Sequence, residues 1–88
     1  MQTEKLNWNS LSVEEALKIF EETFKGSIAI PNKQVLMEIR STTNGVLSSM
    51  ECISDNKEFE SSTYEWEIGA GESIEIEMYT DGDYDISF

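Results

Sequence analysis

The sequence predicts an α+β fold, with one N-terminal helix packed on an antiparallel sheet of about five strands in two layers. Three observations lead there. A single segment near the start carries apolar residues at helical spacing between recognisable caps. Most of the remainder alternates apolar and polar residues with a period of two. Turn sequences punctuate that alternation at Asn44-Gly45, Gly69-Ala70-Gly71 and Asp81-Gly82. The 88 residues suffice for one domain, 1–88, with one modest core.

The helix is the best-signalled element. Ser12 is a good N-cap and Glu15 completes a capping box three residues later. Val13, Ala16, Leu17, Phe20 and Phe24 form one apolar stripe, and Glu14–Lys18 and Glu21–Lys25 are i,i+4 pairs in the favourable order. Gly26 fits the position just past the end, so the helix is expected over about Val13–Lys25.

Strands are expected next. Ser27–Ile30 reads as a short strand stopped by Pro31-Asn32. Gln34–Thr42 and Val46–Ser54 flank Asn44-Gly45 as a hairpin, which would pair Ile39 with Met50, Met37 with Cys52 and Glu38 with Glu51. The Gly69-Ala70-Gly71 turn would pair Trp66 with Ile74 and Tyr64 with Ile76. Around Asp81-Gly82 a three-residue loop, Asp81-Gly82-Asp83, keeps the apolar residues on one face by opposing Met78 with Ile86 and Ile76 with Phe88. The C-terminal meander then has an inner face of Tyr64, Trp66, Ile68, Ile74, Ile76, Met78, Tyr84, Ile86 and Phe88. Its outer face is Glu65, Glu67, Glu75, Glu77, Tyr79 and Asp85, with Asp83 in the adjoining turn. The helix covers the inner face, and no further element is expected on the outer one.

Charge is the most informative property. The formal net charge is −12, from 6 Lys or Arg and 18 Asp or Glu. Residues 1–44 carry a net −1 and residues 45–88 a net −11, and from Glu58 onward ten carboxylates meet no basic residue. Nine aromatics, six of them in this acidic stretch, separate the chain from a disordered acidic tail. Such acidity disfavours direct contact with nucleic acid or an anionic membrane. No histidine is present, which removes the commonest general base and transition-metal ligand, so neither catalysis nor a cofactor is expected. The single Cys52 cannot form an internal disulfide, and the opening MQTEKLNWNS lacks the apolar core of a signal peptide, so the expected compartment is the cytoplasm.

The outer face carries the functional expectation. Same-face residues on a strand lie about 6.6–6.8 Å apart and strands about 4.7–4.9 Å apart. Duplex DNA has one charge per about 3.4 Å of axis on each strand, a comparable density. Glu65, Glu67, Glu75, Glu77, Tyr79, Asp83 and Asp85 are therefore the expected contacts with a basic nucleic-acid-binding protein, a nuclease or CRISPR effector, whose cleft they would fill. Tyr79 is the aromatic expected to anchor that contact. The competing reading is a solvated acidic face on a non-inhibitory interaction or structural domain.

Other constellations carry less. Asp81, Asp83 and Asp85 alternate as at the start of a calcium loop, but no distal bidentate glutamate follows them. Glu65 and Glu75 lack the contrasting environments that a glycosidase pair needs. Cys52 and Trp8 read as core or core-edge residues. In overall character the chain is similar in kind to phage-encoded anti-defence proteins and nuclease-toxin immunity proteins, a likeness of composition. It implies an inhibitor of a CRISPR effector, of a restriction enzyme or of a nuclease toxin.

Overall fold

The computed structural model describes residues 6–7, 11–43, 46–47, 49–69 and 71–87. Its elements in chain order are β1 (Leu6–Asn7), α1 (Val13–Thr23), α2 (Lys33–Thr43), β2 (Val46–Leu47), β3 (Ser49–Asn56), β4 (Ser61–Gly69), β5 (Glu72–Tyr79) and β6 (Tyr84–Ser87). The last four strands form one antiparallel sheet in the order β3-β4-β5-β6, and β1 pairs with β2 separately. The fold is α+β, with two helices against one sheet face.

Helix α1 starts as its sequence dictates. The Ser12 hydroxyl accepts from the Glu15 N–H at 3.1 Å, and the Glu15 carboxylate accepts from the Ser12 N–H at 3.2 Å, which satisfies two orphan donors reciprocally. The helix ends at Thr23, two residues before the expected end, and the positive φ of 104° falls on Gly26. Ala16, Phe20 and Phe24 are buried. Phe20 meets Trp66 edge-on at 6.3 Å between ring centroids, and Phe24 meets Tyr64 at 4.8 Å.

The segment 34–42 is a helix and not a strand. Its apolar residues Val35, Leu36 and Ile39 sit at i, i+1 and i+4, all fully buried, whereas a half-buried strand would bury alternate positions. Asn32 supplies the start signal that the strand reading passed over: its Oδ1 accepts from the Val35 N–H at 3.0 Å. The expected pairings of Ile39 with Met50, Met37 with Cys52 and Glu38 with Glu51 therefore do not form, and Met37 is 52% exposed. The Asn44-Gly45 turn, Trp8, Ala70, Phe88 and the side chain of Ile68 lie outside the described residues.

Ser27–Ile30 is likewise not a strand. This connection is fastened to the sheet by side chains. Tyr64 Oη donates to the Ala29 carbonyl at 2.7 Å, Ser62 Oγ accepts from the Ala29 N–H at 3.0 Å, and Asp55 Oδ1 accepts from Ser62 Oγ at 2.5 Å and from the Ile28 N–H at 3.3 Å. Burial pushes the Tyr64 phenol up to about 12.

The meander follows the expected faces. Tyr64 opposes Ile76, Glu65 opposes Glu75 and Trp66 opposes Ile74. The final turn departs from expectation by two residues: Met78 opposes Tyr84, and Ile76 opposes Ile86. The three-residue loop is Thr80-Asp81-Gly82, closed by Gly82 N–H to the Tyr79 carbonyl at 3.0 Å and Tyr79 N–H to the Asp83 carbonyl at 2.9 Å, with Gly82 at φ 96°. An even shift preserves the faces, so Trp66, Ile76 and Met78 are buried while Glu65 and Glu67 are exposed. Leu17 and Ile86 are only half-buried, at the rim of the same core.

Candidate protein-binding face

The outer face of the sheet is built from the alternate residues that the inner core leaves outside. Strands β3 to β6 contain no lysine or arginine at any position. Glu51 opposes Glu65, and Glu65 opposes Glu75, so three glutamates from three strands stand in one transverse row. All three are exposed, and so is Glu67, next along β4. Each directly opposed like-charged pair costs the sheet about 0.2–1 kcal/mol.

A second grouping lies one row along. Glu77 opposes Asp85, again a like-charged pair, but here the neighbours supply hydrogen. Tyr79 Oη donates to Glu77 Oε1 at 2.9 Å and lies 3.3 Å from Asp85 Oδ2, so a single proton is shared between two carboxylates. The buried Ser61 donates its hydroxyl to Glu77 Oε2 at 2.9 Å. Both oxygens of Glu77 thus have a donor, and the residue is half-buried. The phenol of Tyr79 is pushed up to about 12, first by its hydrogen bond to Glu77 and then by desolvation and the two carboxylate charges.

The structure therefore brings Glu65, Glu67, Glu75, Glu77, Tyr79 and Asp85 onto one face, with Asp83 exposed beside Tyr79 at its end. Their roles divide. Glu65, Glu67 and Glu75 are presented to solvent, whereas Tyr79 organises two carboxylates, and its hydroxyl is engaged within the face. Glu51 and Ser61 belong to the same surface although the expected site omitted them. The Met50-Glu51-Cys52 alternation marks Glu51 as outward; only its partner strand was misjudged.

Among the described residues no group of three or more Cys, Asp or Glu is placed to hold a metal ion. Asp81 turns its carboxylate back on the loop and accepts from the Asp83 N–H at 2.9 Å. Cys52 is half-buried, with Sγ 3.7 Å from the Ser54 carbonyl. Among the described residues no helix is long and apolar enough to cross a membrane. Comparison with protein-family models, with curated proteins and with solved structures returns no match for the chain.

Proposed function

We propose that this protein is a stoichiometric inhibitor that occupies the basic nucleic-acid-binding site of a nuclease-type defence or toxin protein, in the cytoplasm where such enzymes meet their substrates. The observation that carries this reading is the transverse row Glu51–Glu65–Glu75 on a sheet without lysine or arginine. A face kept only for solubility gains from interspersed signs, which lower cross-strand repulsion. This one keeps the repulsion and presents carboxylates at roughly the density of a phosphate backbone. Guanidinium and ammonium groups in a nucleic-acid cleft would replace that repulsion with charge-assisted hydrogen bonds. Association would be steered by long-range attraction and would weaken with salt.

The test starts from a tagged copy, from proteins it retains at low salt and releases at high salt, and from one such nuclease in purified form. DNA or RNA and the inhibitor should exclude one another from that nuclease. Replacing Glu51, Glu65 and Glu75 together by Gln should weaken binding by well over tenfold, since losing one member of a desolvated charge pair costs about 2–5 kcal/mol. Glu77 is spared in this variant because Ser61 and Tyr79 depend on it. A triple variant that still inhibits normally would reduce the acidic sheet to a solvated face and favour the non-inhibitory interaction domain.

A further inference from the structure

The final hairpin carries a chemically reactive dipeptide at its tip. Asp81 is exposed, and Gly82 follows it at φ 96°, a left-handed conformation that favours glycine. The residue this turn requires is also the one least able to shield its own nitrogen, because it has no side chain. Ring closure between the Asp81 carboxyl and that nitrogen needs both groups free, and the fold engages both. The Gly82 N–H donates to the Tyr79 carbonyl at 3.0 Å, and Asp81 Oδ1 accepts from the Asp83 N–H at 2.9 Å. A third bond holds the dipeptide from outside the hairpin, from Asn32 Nδ2 to the Gly82 carbonyl at 2.8 Å.

We infer that Asp81-Gly82 is a site of isoaspartate formation that the final hairpin and Asn32 hold closed. The Gly82 nitrogen, giving up its proton, bonds to Asp81 Cγ, and the carboxyl hydroxyl leaves with that proton as water. A second water then opens the cyclic imide. Attack at Cγ restores aspartate. Attack at the main-chain carbonyl carbon of Asp81 routes the chain through Cγ and lengthens it by one methylene. The two bonds that close the loop, Gly82 N–H to the Tyr79 carbonyl and Tyr79 N–H to the Asp83 carbonyl, both span the added carbon, so the modified hairpin loses its register. Reaction requires the opened hairpin, and its rate follows the fraction of molecules in which the hairpin is open.

Folded wild type and the same chain unfolded in guanidinium chloride are incubated at equal pH and temperature and digested with trypsin. Peptide 58–88 carries Asp81 and separates from peptide 41–57, which carries Asn44-Gly45. Electron-transfer fragmentation reads the linkage at residue 81. Isoaspartate should form at least about tenfold more slowly in the folded protein, the factor that an opening cost of about 1.4 kcal/mol gives. Asn32→Ser keeps a side-chain oxygen to cap α2 and removes the Nδ2 donor, so it should speed the folded-state reaction about two- to tenfold, as one lost hydrogen bond does. Ser12→Ala removes the α1 cap instead and should leave the rate unchanged. The inference is overturned if neither state forms isoaspartate at residue 81, if folded and unfolded wild type react alike, or if Asn32→Ser reacts as the wild type does. Equal acceleration by Ser12→Ala also overturns it, because release then follows global unfolding. Should Asn32→Ser fail to fold, the wild type in sub-denaturing guanidinium decides: a rate nearly independent of denaturant supports local opening, and a rate proportional to the globally unfolded fraction overturns it.

Discussion

Two groupings of carboxylates share one sheet face and differ in what surrounds them. The row Glu51–Glu65–Glu75 stands in solvent, with each member opposite another of the same charge. The pair Glu77–Asp85 is equally opposed across its strands, yet Tyr79 and Ser61 bring donors to it. The first grouping holds unspent affinity for cations; the second has spent part of its affinity on the fold. Acidic residues of one face can therefore differ in the sign of their contribution to stability, and parallel substitutions expose the difference.

The largest effect is expected at Glu77. Glu77→Ala should destabilise the protein by about 1–2 kcal/mol in denaturant unfolding, because two hydrogen bonds to a charged acceptor are lost and the buried Ser61 hydroxyl loses its partner. Glu65→Gln should act the other way, adding about 0.5–1 kcal/mol by relieving repulsion toward both Glu51 and Glu75. In a domain of this size that is a rise in Tm of several degrees. Equal and same-signed effects at the two positions would erase the distinction between the groupings.

Alkaline titration sharpens it further. Tyr64 and Tyr79 are pushed up to about 12, and Tyr84 is raised by burial and by the nearby Glu38 carboxylate. The chain has 3 tyrosines, so the folded protein should show little tyrosinate absorbance at about pH 10, where unfolded tyrosines are half ionised. The folded state holds these protons longer than the unfolded state. Their contribution to stability is therefore complete below about pH 10 and is lost as pH rises through about 12. Glu77→Gln should return the Tyr79 step toward the ordinary tyrosine range, and Glu65→Gln should leave it in place. The smallest effect is expected from salt. Raising NaCl from about 0.05 to 0.5 M should raise the wild-type Tm slightly, and less in the variant with Gln at 51, 65 and 75, because screening acts on repulsion that variant no longer has.

The legible parts of this fold were those with a local cause. The Ser12–Glu15 box and the Phe20 and Phe24 stripe announce α1, and the alternation from Tyr64 to Met78 sets the β4–β5 register because a slip by one residue would bury Glu65 or Glu67. Helix α2 was missed for a specific reason. The strong Asn44-Gly45 hairpin signal outweighed the adjacent pair Val35-Leu36, which a half-buried strand cannot place on one side. The outer face was readable as a list of residues but not as a network. That Tyr79 would lean onto Glu77 and Asp85, and that Ser61 would reach Glu77 from the neighbouring strand, depends on side-chain rotamers and on cross-strand register. The bulge in β3 between Cys52 and Ser54 had no turn dipeptide or glycine to mark it.

Asn32 carries a consequence for the order in which the chain can fold. Its Oδ1 begins α2, while its Nδ2 donates to the Gly82 carbonyl at 2.8 Å, fifty residues away in sequence. One short side chain thus ties the second helix to the final hairpin. During synthesis the first bond is available as soon as residue 35 has emerged, but the second waits until residue 82 has been made. Until then the start of α2 has its local bonds from the Val35 and Leu36 N–H groups to Asn32 but lacks the tie to the final hairpin.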